Sequence, residues 1–276
     1  MDTVMDLRPG LRGKAAFVTG GLGGIGLECV RALVAHGCRV AFTYAEGFEP
    51  LERAQSLVAT SPEMLSAHPL DLRSAGSIRA SMQAARDRWG RLDILMHLAA
   101  VGTATVRAYA EAPDAQDSAM LSINADGALK VCQSFLELMK DHLHEPLKII
   151  NVSSVGGGVQ VFPGFRLSDG MSKAAVAFLT RQLAAELVHT GVDVFAVCPG
   201  ATNTPMFQAS TLEAMTPEER RKFLESLPKH RIIEPSEIAS VMLFLASSYS
   251  TPLHGAVIDA SMGLGVRPGM ITERGH

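Results

Sequence analysis

Short apolar runs alternate along this chain with longer segments in which apolar positions fall at helical spacing. The runs KAAFVT (14–19), CRVAFTY (38–44), EMLSAHPL (63–70), LDILMHLA (92–99), LKIINVS (147–153), VDVFAVC (192–198) and AVIDAS (256–261) predict strands. Between them, segments such as GIGLECVRALVAHG and SIRASMQAARDRWG predict helices. Strand, helix, strand repeated along the whole chain requires parallel pairing through right-handed crossovers. The fold class is therefore α/β, a doubly wound parallel sheet with helices on both faces. No internal repeat or low-complexity tract breaks the pattern, and a single domain over residues 1–276 is expected.

One stretch departs from the alternation. TPMFQASTLEAMTPEERRKFLESLPKHRIIEP, residues 204–235, separates a predicted strand from the next core helix. Within it Thr216, Pro217, Glu218 and Glu219 open a short helix with a capping hydroxyl, proline at the first helical position and acids in the first turn. An excursion of this length beside the carboxyl edge of a sheet reads as a substrate lid, with a surface decoration as the alternative.

Composition narrows the picture by exclusion. With 47% hydrophobic and 19% charged residues, the chain is neither fibrous nor disordered. Its 25 basic and 28 acidic residues give a net charge of −3 without a run of one sign. Nothing in that balance marks a nucleic-acid or anionic-membrane partner, and a small molecule is the expected ligand. Cys29, Cys38, Cys132 and Cys198 form no CxxC pair and sit inside apolar runs, as buried reduced thiols do. The opening MDTVMDLRPGLRGK has no apolar segment of signal-peptide length, and no stretch is long and uncharged enough to span a bilayer, so the expected location is cytoplasmic.

The candidate chemistry begins where the first strand runs into TGGLGGIG, residues 19–26, and then into a helix. Glycines there permit a tight turn and let the backbone approach a pyrophosphate, whose charge is favoured at the amino end of the following helix. Taken alone, the loop reads equally as a tight turn without a ligand. Its spacing, Thr-Gly-x-x-x-Gly-Ile-Gly, resembles that of the short-chain dehydrogenase/reductase family, and the resemblance continues along the chain. HPLDLRS carries Asp71, SINADGAL carries Asn124, INVSS carries Ser154, MSKAA carries Lys173, CPGATNTPM matches a Pro-Gly-x-x-x-Thr motif, and HRIIEPSEIASVMLFLAS looks like the last core helix.

The resemblance implies a Rossmann-like seven-stranded sheet of order 3-2-1-4-5-6-7 with a nicotinamide dinucleotide across its carboxyl edge. It places Gly20, Leu22, Gly24 and Ile25 on the pyrophosphate side, and Tyr44, Glu46, Asp71, Leu72, Ala99 and Ala100 along the adenosine side. Lys173 would bind ribose, while Pro199, Gly200, Thr202 and Thr204 would embrace the nicotinamide. Where NADP-preferring relatives carry a basic residue, this chain has Gly23 and Glu46. Glu46 would repel a phosphate and accept hydrogen bonds from free ribose hydroxyls, which favours NAD(H) over NADP(H). The aspartate that marks NAD enzymes at the end of the second strand is, however, replaced by Tyr44.

In the family's mechanism a tyrosine four residues before the lysine moves the proton, a serine holds the substrate oxygen and an asparagine serves a water relay. Ser154, Lys173 and Asn124 match, and Asp169 stands at the tyrosine's place. A carboxylate one helical turn from Lys173 is expected to ion-pair and stay deprotonated, which makes a poor acid. Ser168 and Asp169 also lie where a helix begins, so Asp169 reads either as an amino-terminal cap or as a catalyst of altered chemistry. Arg166 occupies the position from which some divergent enoyl reductases of this family present their tyrosine, and it cannot act as an acid. Tyr109, after the fourth strand, is the phenol expected nearest the substrate, or else a packed loop aromatic. The family's Asn-Asn-Ala-Gly is His97-Leu98-Ala99-Ala100 here, and its late Asp-Gly-Gly is Ser261-Met262-Gly263. His97 is expected to be a packed, hydrogen-bonded neutral imidazole, and the methyl of Ala100 to narrow the cofactor groove.

These features point to an oxidoreductase with an altered proton donor, acting on a small or carrier-bound carbonyl, alcohol or enone. Val155, Val159, Phe162, Phe165, Met206 and Phe207 would line an apolar substrate pocket. The rival readings are a degenerate dinucleotide-binding homologue without turnover and a non-redox lyase or isomerase. No metal site is expected. Assembly as a homodimer or homotetramer is expected through helices at 115–143 and 171–189, each carrying more apolar residues than one sheet face buries.

Overall fold

The computed structural model describes residues 8–266. Strands β1 (Ala15–Thr19), β2 (Arg39–Tyr44), β3 (Leu65–Pro69), β4 (Ile94–His97), β5 (Leu147–Val152), β6 (Val192–Pro199) and β7 (Val257–Ala260) form one sheet in the order β3-β2-β1-β4-β5-β6-β7. Every neighbouring pair is parallel. The order reverses at β1, whose Ala16 is aligned with Val40 of β2 on one side and Ile94 of β4 on the other. The sheet is thus the doubly wound parallel one that the alternating pattern predicts, in the strand order that the family resemblance implies. β1 and β6 are buried at every position, because each face of a central parallel strand meets a layer of helices. That double burial is why these strands read as continuous apolar runs.

The principal helices are α1 (Gly24–Ala35), α2 (Leu51–Ala59), α3 (Ala75–Trp89), α4 (Pro113–Leu121), α5 (Gly127–Leu138), α6 (Leu167–Leu187), α7 (Pro217–Ser226) and α8 (Pro235–Ala246). On one face Cys29, Val30 and Leu33 of α1 and Met242 and Leu245 of α8 pack on Val18, Phe42, Ile150 and Phe195. On the other, Ile78 and Met82 of α3, Phe135 of α5 and Leu183 of α6 pack on Phe17, Leu95, Ile149 and Val194. Among the described residues no helix is long and apolar enough to cross a membrane.

Two helix boundaries differ from expectation. The helix expected over 115–143 is interrupted, with a π turn at Ser122–Asp126 between α4 and α5. The helix expected from 171 begins at Leu167. The excursion at 204–235 folds as predicted at its helix: Thr216 Oγ1 accepts from Glu219 N at 3.3 Å, and Glu219 Oε2 accepts from Thr216 N at 2.8 Å. A bridge between Thr202 and Ile233 ties the base of the excursion together.

Candidate active site

β1 and β4 end side by side at Thr19 and His97, where the strand order reverses. Thr19 Oγ1 accepts from the N–H groups of Leu98 and Ala99, both at 3.0 Å, and lies 2.9 Å from His97 Nδ1. With both acceptor positions of the hydroxyl in use, its proton is directed at Nδ1, so the imidazole carries its own proton on Nε2. Burial, with the charge of Lys173 adding to it, pushes His97 down to about 3. His97 is therefore the packed neutral imidazole expected from the sequence.

The glycine loop hangs from β2. Gly20, at φ 69°, donates its N–H to Thr43 Oγ1 at 3.2 Å, and Gly21 donates to the Thr43 carbonyl at 3.0 Å. A Cβ on Gly26 would collide with the Gly20 carbonyl oxygen, so only glycine lets α1 lie this close to the end of β1. The first N–H groups of α1 have no acceptor inside the helix, and Gly23 supplies no side-chain cap. An anion is favoured at that end by the free donors and the helix dipole together. The loop is shaped for a pyrophosphate.

From the loop a cleft of about 580 Å³ runs along the carboxyl edge. Of the residues singled out from the sequence it brings together Gly20, Tyr44, Glu46, Asp71, Leu72, Ala99 and Ala100, with Met206 reaching in from the excursion. Leu22, Gly24, Ile25, Asn124, Ser154, Asp169, Lys173, Pro199, Gly200, Thr202 and Thr204 are not in its lining. Thr202 is buried and donates its hydroxyl to the Gly200 carbonyl at 3.0 Å, and Thr204 caps the turn Pro205–Phe207 by accepting from Phe207 N at 3.2 Å.

Three features of the cleft depart from the sequence reading or decide between its alternatives. Arg53 of α2 donates to the Leu22 carbonyl at 3.2 Å and so brings a guanidinium onto the glycine loop, an end that had seemed to lack a basic group. Its signal was available: the helix after a parallel strand starts at the carboxyl edge, and Arg53 lies in the first turn of α2. Asp71 is engaged by Arg73, whose Nε and Nη2 each donate to it at 2.9 Å, and this forked bond holds its carboxyl below the usual range. Tyr109, read from the sequence as either a phenol near the substrate or a packed loop aromatic, is the latter, beside Asp71 and Arg73 and stacked on Phe48. The long connection after β4 carries it there, packed on the core beneath α4.

At the other end β5 delivers two serines. Ser153 donates its hydroxyl to the Lys173 carbonyl at 2.7 Å and so pins the start of α6 to the sheet, while Ser154 Oγ accepts from Gly156 N at 3.1 Å. Asn124, in the π turn, accepts from Val101 N at 2.8 Å and donates to the Val101 carbonyl at 2.9 Å. Its amide also donates to Ser172 Oγ at 3.3 Å, and that hydroxyl donates to the Asp169 carbonyl at 2.8 Å.

The expectations for Asp169 as an ion-paired carboxylate or helix cap are both corrected. Among the described residues Asp169 makes no ion pair. Burial raises its carboxyl above the ordinary 3.8, outweighing the opposing charges of Lys173 and Arg166. Burial likewise lowers Lys173, with Asp169 and Cys198 opposing. The cap position falls to Arg166, whose backbone is extended, and Asp169 is the third residue of α6. Ser168 turns inward and donates to Asp117 Oδ1 at 2.5 Å, the oxygen that also accepts from Arg166 Nε at 2.8 Å.

Known proteins match this chain over most of their length. A family model described as enoyl-(acyl carrier protein) reductase matches residues 20–265. Oxidoreductase UcpA of Escherichia coli strain K12 is 30% identical over 263 residues, covering 92% of this chain and 96% of that one. The chain belongs to the short-chain dehydrogenase/reductase family. Galactitol 2-dehydrogenase (L-tagatose-forming) of Cereibacter sphaeroides, also similar to this short-chain dehydrogenase/reductase, is 34% identical over 94% of this chain and 98% of its own length. A solved actinorhodin polyketide ketoreductase variant with NADPH matches it at a TM-score of 0.80, with 28% identity over 91% of this chain and 97% of that one. The family implies a nicotinamide dinucleotide, and the glycine loop, the open amino end of α1 and the adjoining cleft fit one.

The raised carboxyl in this short-chain dehydrogenase/reductase has a consequence for stability. A carboxyl raised on folding contributes stability that is complete below its unfolded value and is lost as pH rises through the folded value. Asp169→Asn removes that loss. Urea unfolding should therefore find the variant more stable than wild type at pH 7, with the difference fading as pH falls toward the ordinary aspartate value of 3.8. A difference that grows on acidification would contradict the raised carboxyl.

Proposed function

We propose that this short-chain dehydrogenase/reductase reduces or oxidises a small or carrier-bound carbonyl, alcohol or enone, with Asp169 as the proton donor. The observation that carries this reading is the half-buried carboxyl of Asp169, in no ion pair among the described residues though one helical turn before Lys173. A bound dinucleotide supplies or takes the hydride. Gly20, Leu22, Gly24 and Ile25 hold its pyrophosphate, and Pro199, Gly200, Thr202 and Thr204 form the wall at its far end. Ser154 orients the substrate oxygen. Lys173 binds ribose, and Asn124, clamped to Val101, keeps the π turn in place for the relay. Asp169 would give or take the proton at its carboxyl oxygen, where burial favours the protonated form. The excursion at 204–235 acts as the substrate lid, with Val155, Val159, Phe162, Phe165, Met206 and Phe207 as apolar walls. An enone makes the smallest demand on the acid, since addition at carbon leaves an enolate that Ser154 and water can serve.

NAD(H) is the favoured cofactor, because Glu46 lines the cleft and Gly23 adds no charge. A second reading, NADP(H), rests on Arg53 beside Leu22. For assembly, α6 leaves Leu167, Met171 and Phe178 exposed at 83%, 59% and 67% on one face, which supports a homodimer or homotetramer through this helix.

Oxidation of NADH followed across a panel of ketones and enones should show turnover by the wild type, and Asp169→Ala should lower it about a hundredfold or more. Asp169→Tyr should raise reduction of simple ketones, since a phenol reaches farther and Lys173 depresses its pKa. A protein that binds a dinucleotide yet leaves the whole panel untouched is the degenerate homologue instead.

Fluorescence titration should give tighter binding of NADH than of NADPH, with Arg53→Ala leaving NADH binding within about twofold. Preference for NADPH that disappears in Arg53→Ala would assign Arg53 to a phosphate and reverse the choice. Sedimentation should give a multiple of the chain mass for wild type and a smaller species for Phe178→Glu, and a monomeric wild type would remove the proposed interface.

A further inference from the structure

The connection between β4 and α4 is held from both sides of the cleft. The ring of Tyr109 stacks on that of Phe48, which comes from the β2–α2 loop, with centroids 4.3 Å apart and planes at 22°. The guanidinium of Arg73 lies 5.1 Å from the Tyr109 ring centroid while forked onto Asp71. Nearer the middle of the same connection, Ala104 N donates to Ser210 Oγ at 3.2 Å. Met206 presses on Gly102 so closely that a Cβ there would lie 2.9 Å from Met206 Cγ. Phe48, Arg73, Ala104, Tyr109 and Met206 all line the cleft, so its walls touch one another across its mouth.

The two sides of the aromatic contact are unequal. Tyr109 is half-buried against the core. Phe48 is 49% exposed, and its loop is a self-contained turn: Phe48 and Glu49 donate their N–H groups to the Ala45 carbonyl, and Glu49 Oε2 accepts from Ala45 N at 2.7 Å. Gly47 beside it sits at φ 81°, a conformation few side chains tolerate. Rings 4.3 Å apart are in contact and leave no room for a third ring between them. Leu72, Ala99 and Ile123 line the same cleft, and the ring contact joins two of its walls.

We propose that the Phe48–Tyr109 stack is a latch across the adenosine end of the cleft, with Phe48 as the moving leaf, that opens to admit and to release the dinucleotide. This rests on the dinucleotide reading and adds a kinetic control to it. The latch acts on rates more than on equilibrium, because the same contact that must break for admission re-forms over the bound ligand and must break again for release.

Stopped-flow mixing with NADH and with NADPH tests it, with displacement by excess unlabelled nucleotide giving the release rate. Phe48→Ala should speed both association and release about three- to tenfold, the range an aromatic pair's worth allows, while the dissociation constant changes less than either rate. Phe48→Tyr keeps a stacking ring and should keep wild-type rates. Phe48 is half exposed, so the variants fold, and an unchanged melting temperature checks this. Normal binding with unchanged rates in Phe48→Ala overturns the latch and leaves the dinucleotide reading standing. Faster release with unchanged association also overturns it, since Phe48 is then only a contact of the bound base. A wild type that binds neither dinucleotide removes the dinucleotide reading and the latch with it.

Discussion

One hydroxyl holds the switch point open. Where β1 and β4 end side by side, their chains leave toward opposite faces, and the N–H groups of Leu98 and Ala99 drop out of the strand ladder. An unmet amide away from water costs about 1–3 kcal/mol. Thr19 meets both from a fully buried position and spends its own proton on His97. Valine, of nearly the same shape, would leave two amides and an imidazole nitrogen without partners. With β4's exit fixed by Thr19 and the glycine loop fixed by Thr43 of β2, the donors still free are those that open α1. The anion site is what remains after its surroundings have been satisfied.

Chemistry at α6 is set by burial more than by pairing. Asp169 and Lys173 lie one turn apart with opposite charges, yet each shifts toward its neutral form, so for each the loss of water outweighs the other's attraction. Ser153 fixes the Lys173 carbonyl to β5, Ser172 takes the Asp169 carbonyl, and Arg166, the other cation near Asp169, is drawn onto Asp117 at 2.7 Å. With Arg166 drawn onto Asp117, burial outweighs the cations near Asp169 and raises its carboxyl.

Parallel pairing and the placement of the glycine loop were legible because the alternation of strands and helices and the spacing of glycines are properties of local sequence, while the strand order followed from the family resemblance. Helix starts were legible where capping residues are unopposed, as at Thr216 and Glu219. At Ser168 and Asp169 they misled, because Asp117, 51 residues from Ser168, captures the hydroxyl that would otherwise cap. Arg53, Phe48 and Tyr109 were harder still. Their roles depend on how far three separate loops lean over one edge, and no local pattern records that distance. Asp169 illustrates the same limit from the opposite side: spacing on a helix foretells an ion pair, but only burial decides whether the charges exist.

The closed adenosine end is compatible with a ligand because its closing contacts are weak ones. The Asp71–Arg73 pair has side chains 43% and 45% exposed, and pairs in such surroundings are worth about 0–1 kcal/mol. A stacked aromatic pair adds about 0.5–1.5 kcal/mol beyond its buried area. A ligand held at micromolar strength draws on about 8 kcal/mol. Opening the end therefore takes only a minor share of such a binding energy. Because the stack that parts for entry re-forms over the bound ligand, separating the rings costs little in affinity, and the barrier to exchange lies in that separation.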